Sequence, residues 1–204
     1  MRQRTQAVNA LRAHLAELGI IAAVGMAKVA ALVAIVRDET DARLPPAARF
    51  ALMAFVDQID ALAGQIDRLE RSIVTEAKRD EDMRRLTTIP GVGAITAATI
   101  KSLVPDPRGF RLGRHFAAWL GLVPRPHSSG GKERLGRISK MGNPELRTLL
   151  VIGATSVLRI ARNDARARPW LKALLARRPF KVAAVALANK MARIIWALLN
   201  RGGI

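Results

Sequence analysis

The chain has 204 residues, 50% of them hydrophobic, and carries 34 Lys and Arg against 16 Asp and Glu, a net charge of +18. That is enough apolar content for a sizeable core and enough positive charge to attract polyanions. No cysteine is present, which excludes a disulfide framework and thiolate metal sites, and three histidines scattered at 14, 115 and 127 argue against a zinc site.

The charge is unevenly divided. Residues 1–85 hold 13 basic against 12 acidic side chains, and residues 86–204 hold 21 against 4. This predicts a nearly neutral helical linker and coiled-coil scaffold over 1–85, followed by a polyanion-binding domain over 86–204. Tyr is absent and aromatic residues make up 4% of the chain, so base stacking is not the obvious mode of single-strand binding.

Met1 opens a charged, helical pattern rather than the basic and apolar regions of a signal peptide. Val8, Leu11, Leu15 and Leu18 fall on one face of a first helix that ends near Gly19. A second short helix is predicted over Ala27 to Arg37, and Leu44-Pro45-Pro46 then breaks the chain. Gly19 to Val36 and Val182 to Leu199 approach membrane-spanning length. The first is broken by glycine and Lys28, and the second carries Lys190 and Arg193 in its middle, so both are read as helices of a non-membrane protein.

Phe55, Ile59, Leu62, Ile66, Leu69 and Ile73 recur at alternating spacings of four and three, a heptad seam on a helix expected to run to about Arg84. Such a seam fits an intramolecular hairpin and a dimer equally well. Next, Ile89-Pro90-Gly91-Val92-Gly93 forms a turn between apolar stretches, and small residues open a new helix behind it. This is the pattern of a helix-hairpin-helix. Gly91 and Gly93 would let the turn lie against a phosphate, whose charge meets backbone N–H groups at a helix N-terminus. A ligand-free helix–helix turn fits the same residues. A short helix around Gly113 to Leu120 carries Arg111, Arg114 and His115. The histidine reads more readily as a capping or phosphate-contacting group than as a general base.

The stretch from His127 to Asn143 sets Ser128 and Ser129 beside Gly130-Gly131 and among Lys132, Arg134, Arg137 and Lys140. Lys and Arg supply the phosphate contacts that dominate nucleic-acid affinity, and a serine held there can attack a phosphodiester once activated. A polar surface turn is the competing reading. Asn143-Pro144 then caps a helix expected to reach Arg162. Pro169 and Pro179 begin two more, and Gly202-Gly203 closes the last, whose Val182, Val185, Leu187, Ile194, Ile195, Trp196 and Leu198 form a broad core surface. No alternating strand pattern exceeds a few residues. The predicted fold is all-α.

These motifs together resemble the C-terminal domain of the DEDD-type insertion-sequence transposases, the insertion sequence 110/116/902 group. Ile89 to Gly93, Phe116 to Pro124, Ser128 to Lys132, Arg134 to Lys140 and Ala186 to Arg193 carry the likeness. Arg4 to Arg12 resembles the segment that links the family's two domains. The resemblance implies a DNA recombinase with a composite site. In it a RuvC-like nuclease domain holds Mg²⁺ on acidic residues, and the C-terminal domain supplies a serine that becomes linked to a DNA phosphate. By the same resemblance the serine is Ser129, with Ser128 as the fallback, and Arg134, Arg137 and Lys140 hold the phosphate backbone with Lys132, Gly91 and Gly93. DNA is the implied partner, some family members use a structured guide RNA, and a coiled coil assembles a homo-oligomer associated with the nucleoid in the cytoplasm.

On this reading the chain begins at the interdomain linker, without the nuclease domain. It is expected to hold no metal itself and not to carry out full transposition alone. A non-catalytic nucleic-acid-binding and dimerising remnant is the alternative. A membrane-surface protein fits less well, because the basic residues spread over loops and several helices rather than one amphipathic face.

Overall fold

Prolines that precede apolar runs mark where helices begin, because a fixed φ near −65° suits the first turn and the missing N–H is not needed there. Pro46, Pro144 and Pro169 are each the first residue of a helix, and Pro179 directly precedes another. The computed structural model describes residues 2–200 apart from Val24, Pro105, Ser129 and Glu133, and only the backbone of Met26. Its helices are α1 (Arg2–Glu17), α2 (Val29–Arg37), α3 (Pro46–Arg79), α4 (Glu81–Thr87), α5 (Ala94–Leu103), α6 (Gly113–Trp119), α7 (Pro144–Asn163), α8 (Pro169–Arg177) and α9 (Phe180–Asn200). The fold is mainly α-helical, as predicted. Gly202 and Gly203, predicted to close the last helix, lie outside the described residues.

Two compact units make up the chain, Met1–Ser72 and Ile73–Ile204. In the first, Val8, Leu11 and Leu15 of α1, Leu32 and Val36 of α2, and Leu52, Val56 and Ile59 of α3 form one buried cluster. Two arginines tie the connecting backbone to it. Arg49 donates to the carbonyls of Ile35, Val36 and Asp41 at 2.9, 3.0 and 2.6 Å. Arg12 donates to those of Ala22, Ala23 and Gly25 at 3.2, 2.9 and 2.9 Å. A planar guanidinium with several donors satisfies carbonyls at a helix end that have no intrahelical partner.

The helix expected to reach Arg84 stops at Arg79. Asp80 leaves helical geometry, and its carboxylate accepts from the Met83 N–H at 2.9 Å, starting α4 instead. An N-cap aspartate followed by Glu81 and Asp82 in the first turn is the stronger local signal. Asp80 also pairs with Lys101 of α5. The hydrogen bond from Lys101 holds the Asp80 carboxyl below its ordinary pKa and pushes the lysine above its own.

In the second unit α9 runs through the core. Ala183, Leu187, Ala188, Met191 and Ile195 are buried against Leu146, Leu150, Ala154 and Leu158 of α7 and Phe116 of α6. By length and composition α9 alone among the described residues is long and apolar enough to cross a membrane. Here its small residues let α6 and α7 pack closely on it. Of the residues predicted to form its core face, Leu187 and Ile195 are buried, whereas Val182 and Ile194 stay exposed.

A small sheet adds what the sequence did not announce. β1 (Pro124–Pro126) pairs antiparallel with β2 (Leu135–Ile138), Pro124 opposite Ile138 and Pro126 opposite Leu135, with a bulge between. The ladder continues beyond the strands through His127 N to Arg134 O at 2.7 Å, Ser139 N to Val123 O at 2.9 Å and Lys140 N to Gly121 O at 3.2 Å. Prolines at both ends of β1 leave too few N–H groups for a longer strand, and so the alternation is too short to read in advance.

Candidate nucleic-acid interface

Between its strands the hairpin turns at Gly130 and Gly131. Gly130 and Gly131 both adopt left-handed backbone, at φ of 57° and 77°, and a Cβ at either position would meet nothing within 4 Å. Their glycine character therefore serves the reversal of the chain, and the space beside them is open. Ser128 is exposed, and its hydroxyl accepts from the Arg134 N–H at 3.2 Å, closing the loop across the hairpin. Ser129, the residue expected to carry the chemistry, lies outside the described residues.

Lys132, Arg134, Arg137 and Lys140 are all exposed, and among the described residues none pairs with a carboxylate. The structure thus gathers these four cations on one hairpin. It adds a cation that sequence reasoning passed over: Arg125 of β1, exposed, donates to the Ser139 carbonyl at 3.0 Å. Its only signal in the sequence was an arginine between two prolines. His127 lays its ring against Gly136, where a Cβ would come within 2.6 Å of the imidazole Nε2.

The base of the hairpin is fixed by close backbone packing. Lys140 has a positive φ of 55°, and Gly121 and Gly142 have φ of 70° and 78°. A Cβ on Gly142 would collide with the Trp119 carbonyl, and one on Gly121 would lie 2.7 Å from the Met141 nitrogen. Arg147 of α7 reaches into the same corner and donates to the carbonyls of Leu120 at 3.1 Å and Met141 at 3.2 Å. Asn143 caps α7 by accepting from the Glu145 and Leu146 N–H groups, both at 2.9 Å, as predicted.

The turn between α4 and α5 lies elsewhere in this unit. Ile89 and Val92 are buried, and Gly91 has a φ of 88°. A Cβ on Gly91 would sit 2.7 Å from the Gly153 carbonyl oxygen of α7, so this glycine permits a close approach between two backbones. Gly93 is the N-cap of α5. No side chain caps that helix, and a Cβ on Gly93 would meet nothing within 4 Å. Of the two glycines, Gly93 borders open space. His115 is exposed on α6.

Two of the acidic residues here serve local turns. Asp106 accepts from the Arg108 N–H and Asp164 from the Arg166 N–H, each at 2.8 Å. Among the described residues no three His, Asp or Glu side chains come together as metal ligands would.

Residues 83–171 match the family described as Transposase IS116/IS110/IS902. The chain is 48% identical over 204 residues to a probable family 20 transposase of Pseudomonas aeruginosa, covering 98% of this chain and 60% of that protein. It is 40% identical over 202 residues to the transposase for insertion sequence element IS1111A of Coxiella burnetii, covering 98% of this chain and 56% of that protein. A pilin gene-inverting protein of Moraxella lacunata is 36% identical over 73 residues, 35% of this chain and 23% of that protein. The chain spans a little over half the length of the transposases it matches across its whole extent. The α4–α5 turn, the hairpin, all of α7 and the first three residues of α8 lie within the matched stretch, so residues 83–171 match a transposase domain of the IS116/IS110/IS902 family.

Proposed function

We propose that this chain is the DNA-gripping, serine-bearing portion of a transposase or site-specific recombinase, acting with a metal-holding nuclease module. One observation supports the reading: a two-stranded hairpin leaves Ser128, Gly130 and Gly131 exposed and carries exposed Lys132, Arg134, Arg137 and Lys140. Cations without carboxylate partners are available to phosphates, and such contacts fix the register of a duplex without reading its sequence. The name of the Pseudomonas aeruginosa relative, a probable transposase, agrees with this role.

The reaction follows from the chemistry of a phosphodiester. Ser129 Oγ forms a bond to phosphorus, the bond from phosphorus to the leaving sugar oxygen breaks, and the hydroxyl proton ends on that oxygen. Positioning in line and neutralising charge on the equatorial oxygens are what such a step requires. The hairpin cations supply part of the neutralisation. A divalent cation, were it held on the carboxylates of the nuclease module, would supply the remaining neutralisation. Gly93, at the uncapped start of α5, adds backbone N–H donors to a phosphate, with Gly91 shaping the same helix-hairpin-helix-like turn. Ser128, whose hydroxyl already closes the loop, is the second choice of nucleophile.

A homo-oligomer assembles through α3. Leu62, Ile66 and Ile73 of the heptad seam are only half-buried, and Leu69 is 65% exposed. Apolar residues at heptad spacing on a helix roughly 50 Å long suit a coiled coil with a second copy. The assembly works on DNA in the cytoplasm.

A trapping assay tests the reading. The chain is incubated with duplex DNA and Mg²⁺, alone and with the part of the Pseudomonas aeruginosa relative that it does not cover, and adducts are resolved under denaturing conditions. A covalent protein–DNA adduct is expected only with both parts present and is lost in Ser129→Ala. An adduct from the chain alone contradicts the shared site, and one that survives Ser129→Ala contradicts the nucleophile.

A further inference from the structure

A second basic surface lies away from the hairpin tip, where α6, α8 and α9 meet. They enclose a groove of about 890 Å³ lined by Arg114, Lys190 and Arg193, and by Trp170, Ile194 and Trp196. All three cations are exposed, and among the described residues none meets a carboxylate. The two tryptophans differ in their roles. Trp196 is anchored, its Nε1 donating to the Phe110 carbonyl at 2.8 Å, and Gly113 packs so closely that a Cβ there would lie 3.1 Å from its ring. Trp170 is 37% exposed, with Lys190 Nζ 4.0 Å from its ring centroid. Trp170 and Lys190 also line a smaller adjoining hollow of about 300 Å³, so the pair forms a wall between the two.

A purely cationic patch suits a duplex backbone, which offers only phosphates. This groove instead combines a cationic rim with an aromatic and aliphatic floor, the combination that holds unpaired nucleotides by stacking bases and tracking phosphates. The polar side chain in the floor, Asn189, is engaged: its Nδ2 donates to the Leu122 carbonyl at 3.1 Å. One amide N–H of Asn189 is thus committed to the protein, and the apolar surface around it leaves stacking as the main contact in the floor.

We infer that this groove binds a segment of single-stranded DNA, a base stacked on Trp170 and neighbouring phosphates held by Lys190, Arg193 and Arg114. Lys190 sits over the indole as a fixed cation, which holds both groups in place before the strand arrives. The site rests on the reading that the chain acts on DNA, and adds to it the unpaired strand that breakage of a duplex releases.

The test is fluorescence anisotropy with labelled oligo-deoxythymidine, the matching oligo-uridine, and a blunt duplex, over a range of salt. Trp170→Ala is expected to weaken single-strand binding about tenfold, the loss of one stacked base, while duplex affinity changes by less than about twofold. Arg114→Gln/Lys190→Gln/Arg193→Gln is expected to flatten the single-strand salt slope by about 2, three contacts at about 0.7 each. These three positions are exposed, so this variant carries the test if Trp170→Ala fails to fold. Equal loss on duplex and single strand, or no loss on either, overturns the groove while leaving duplex binding by the hairpin intact. Tighter binding of oligo-uridine overturns the assignment to DNA. Absence of all nucleic-acid binding overturns both readings together.

Discussion

Gly91 and Gly153 pack backbone to backbone, each filling the space where the other would carry a Cβ. A side chain at 91 would sit 2.7 Å from the Gly153 carbonyl oxygen, and one at 153 would strike the Gly91 carbonyl. This contact seats the turn between α4 and α5 on the middle of α7. Gly91→Ala adds a strained φ near 88° to that collision, and about 2–4 kcal/mol of stability is expected to be lost, read by urea or thermal unfolding. Gly93→Ala has open space and an ordinary φ, so its cost stays near about 0.5 kcal/mol. If the uncapped start of α5 receives a phosphate, Gly93→Ala nonetheless weakens duplex binding. Equal destabilisation by the two substitutions contradicts the division of roles.

Arg147 staples the base of the hairpin to α7 through the Leu120 and Met141 carbonyls. Removing the guanidinium leaves those carbonyls without this donor, a loss of about 1–2 kcal/mol of local stability. Arg147→Met is therefore expected to speed hydrogen exchange at the Ser139 and Lys140 amides, which bond to Val123 and Gly121, by about tenfold. Unchanged exchange there means that packing at Gly121 and Gly142 holds the corner alone.

Asp80 links α4 to α5 through Lys101 and caps α4 through the Met83 N–H. Its folded pKa is depressed by the lysine hydrogen bond, so its stabilisation is complete above the unfolded carboxylate value of about 4 and fades as pH falls through the folded one. The raised pKa of Lys101 works oppositely: its share is present below about 10.5 and fades as pH rises through the folded value. Asp80→Asn keeps a cap and removes the charge. Its stability deficit, about 0.3–1 kcal/mol for so accessible a pair, is expected to be level between about pH 6 and 9 and to vanish in acid. A deficit that persists at about pH 2 assigns the effect to the cap.

Most helices were legible because their signals are local: Pro144 and Pro169 at helix starts, the Asn143 cap, and the apolar face of α1. The break at Asp80 was local too. It was missed because the heptad pattern ahead of it suggested one continuous helix. The β1–β2 hairpin was not legible, since its partners pair across a loop and its strands carry prolines and only a few alternating residues. The basic loop could be read from the sequence as a composition. That its cations stand exposed on one hairpin is a consequence of long-range backbone bonds such as Lys140 to Gly121. The groove at Trp170 depends on residues from three helices far apart in sequence, which no spacing rule brings together.

The central claim is that the hairpin cations grip duplex DNA, and the salt dependence of binding tests it most directly. Duplex affinity is measured by anisotropy across a range of salt for the chain and for Arg134→Gln/Arg137→Gln/Lys140→Gln. Each phosphate contact contributes about 0.9 to the slope of log affinity against log salt, so the triple substitution is expected to flatten it by about 2.7 and to weaken binding. An unchanged slope and affinity would place the DNA elsewhere on the molecule and contradict the account.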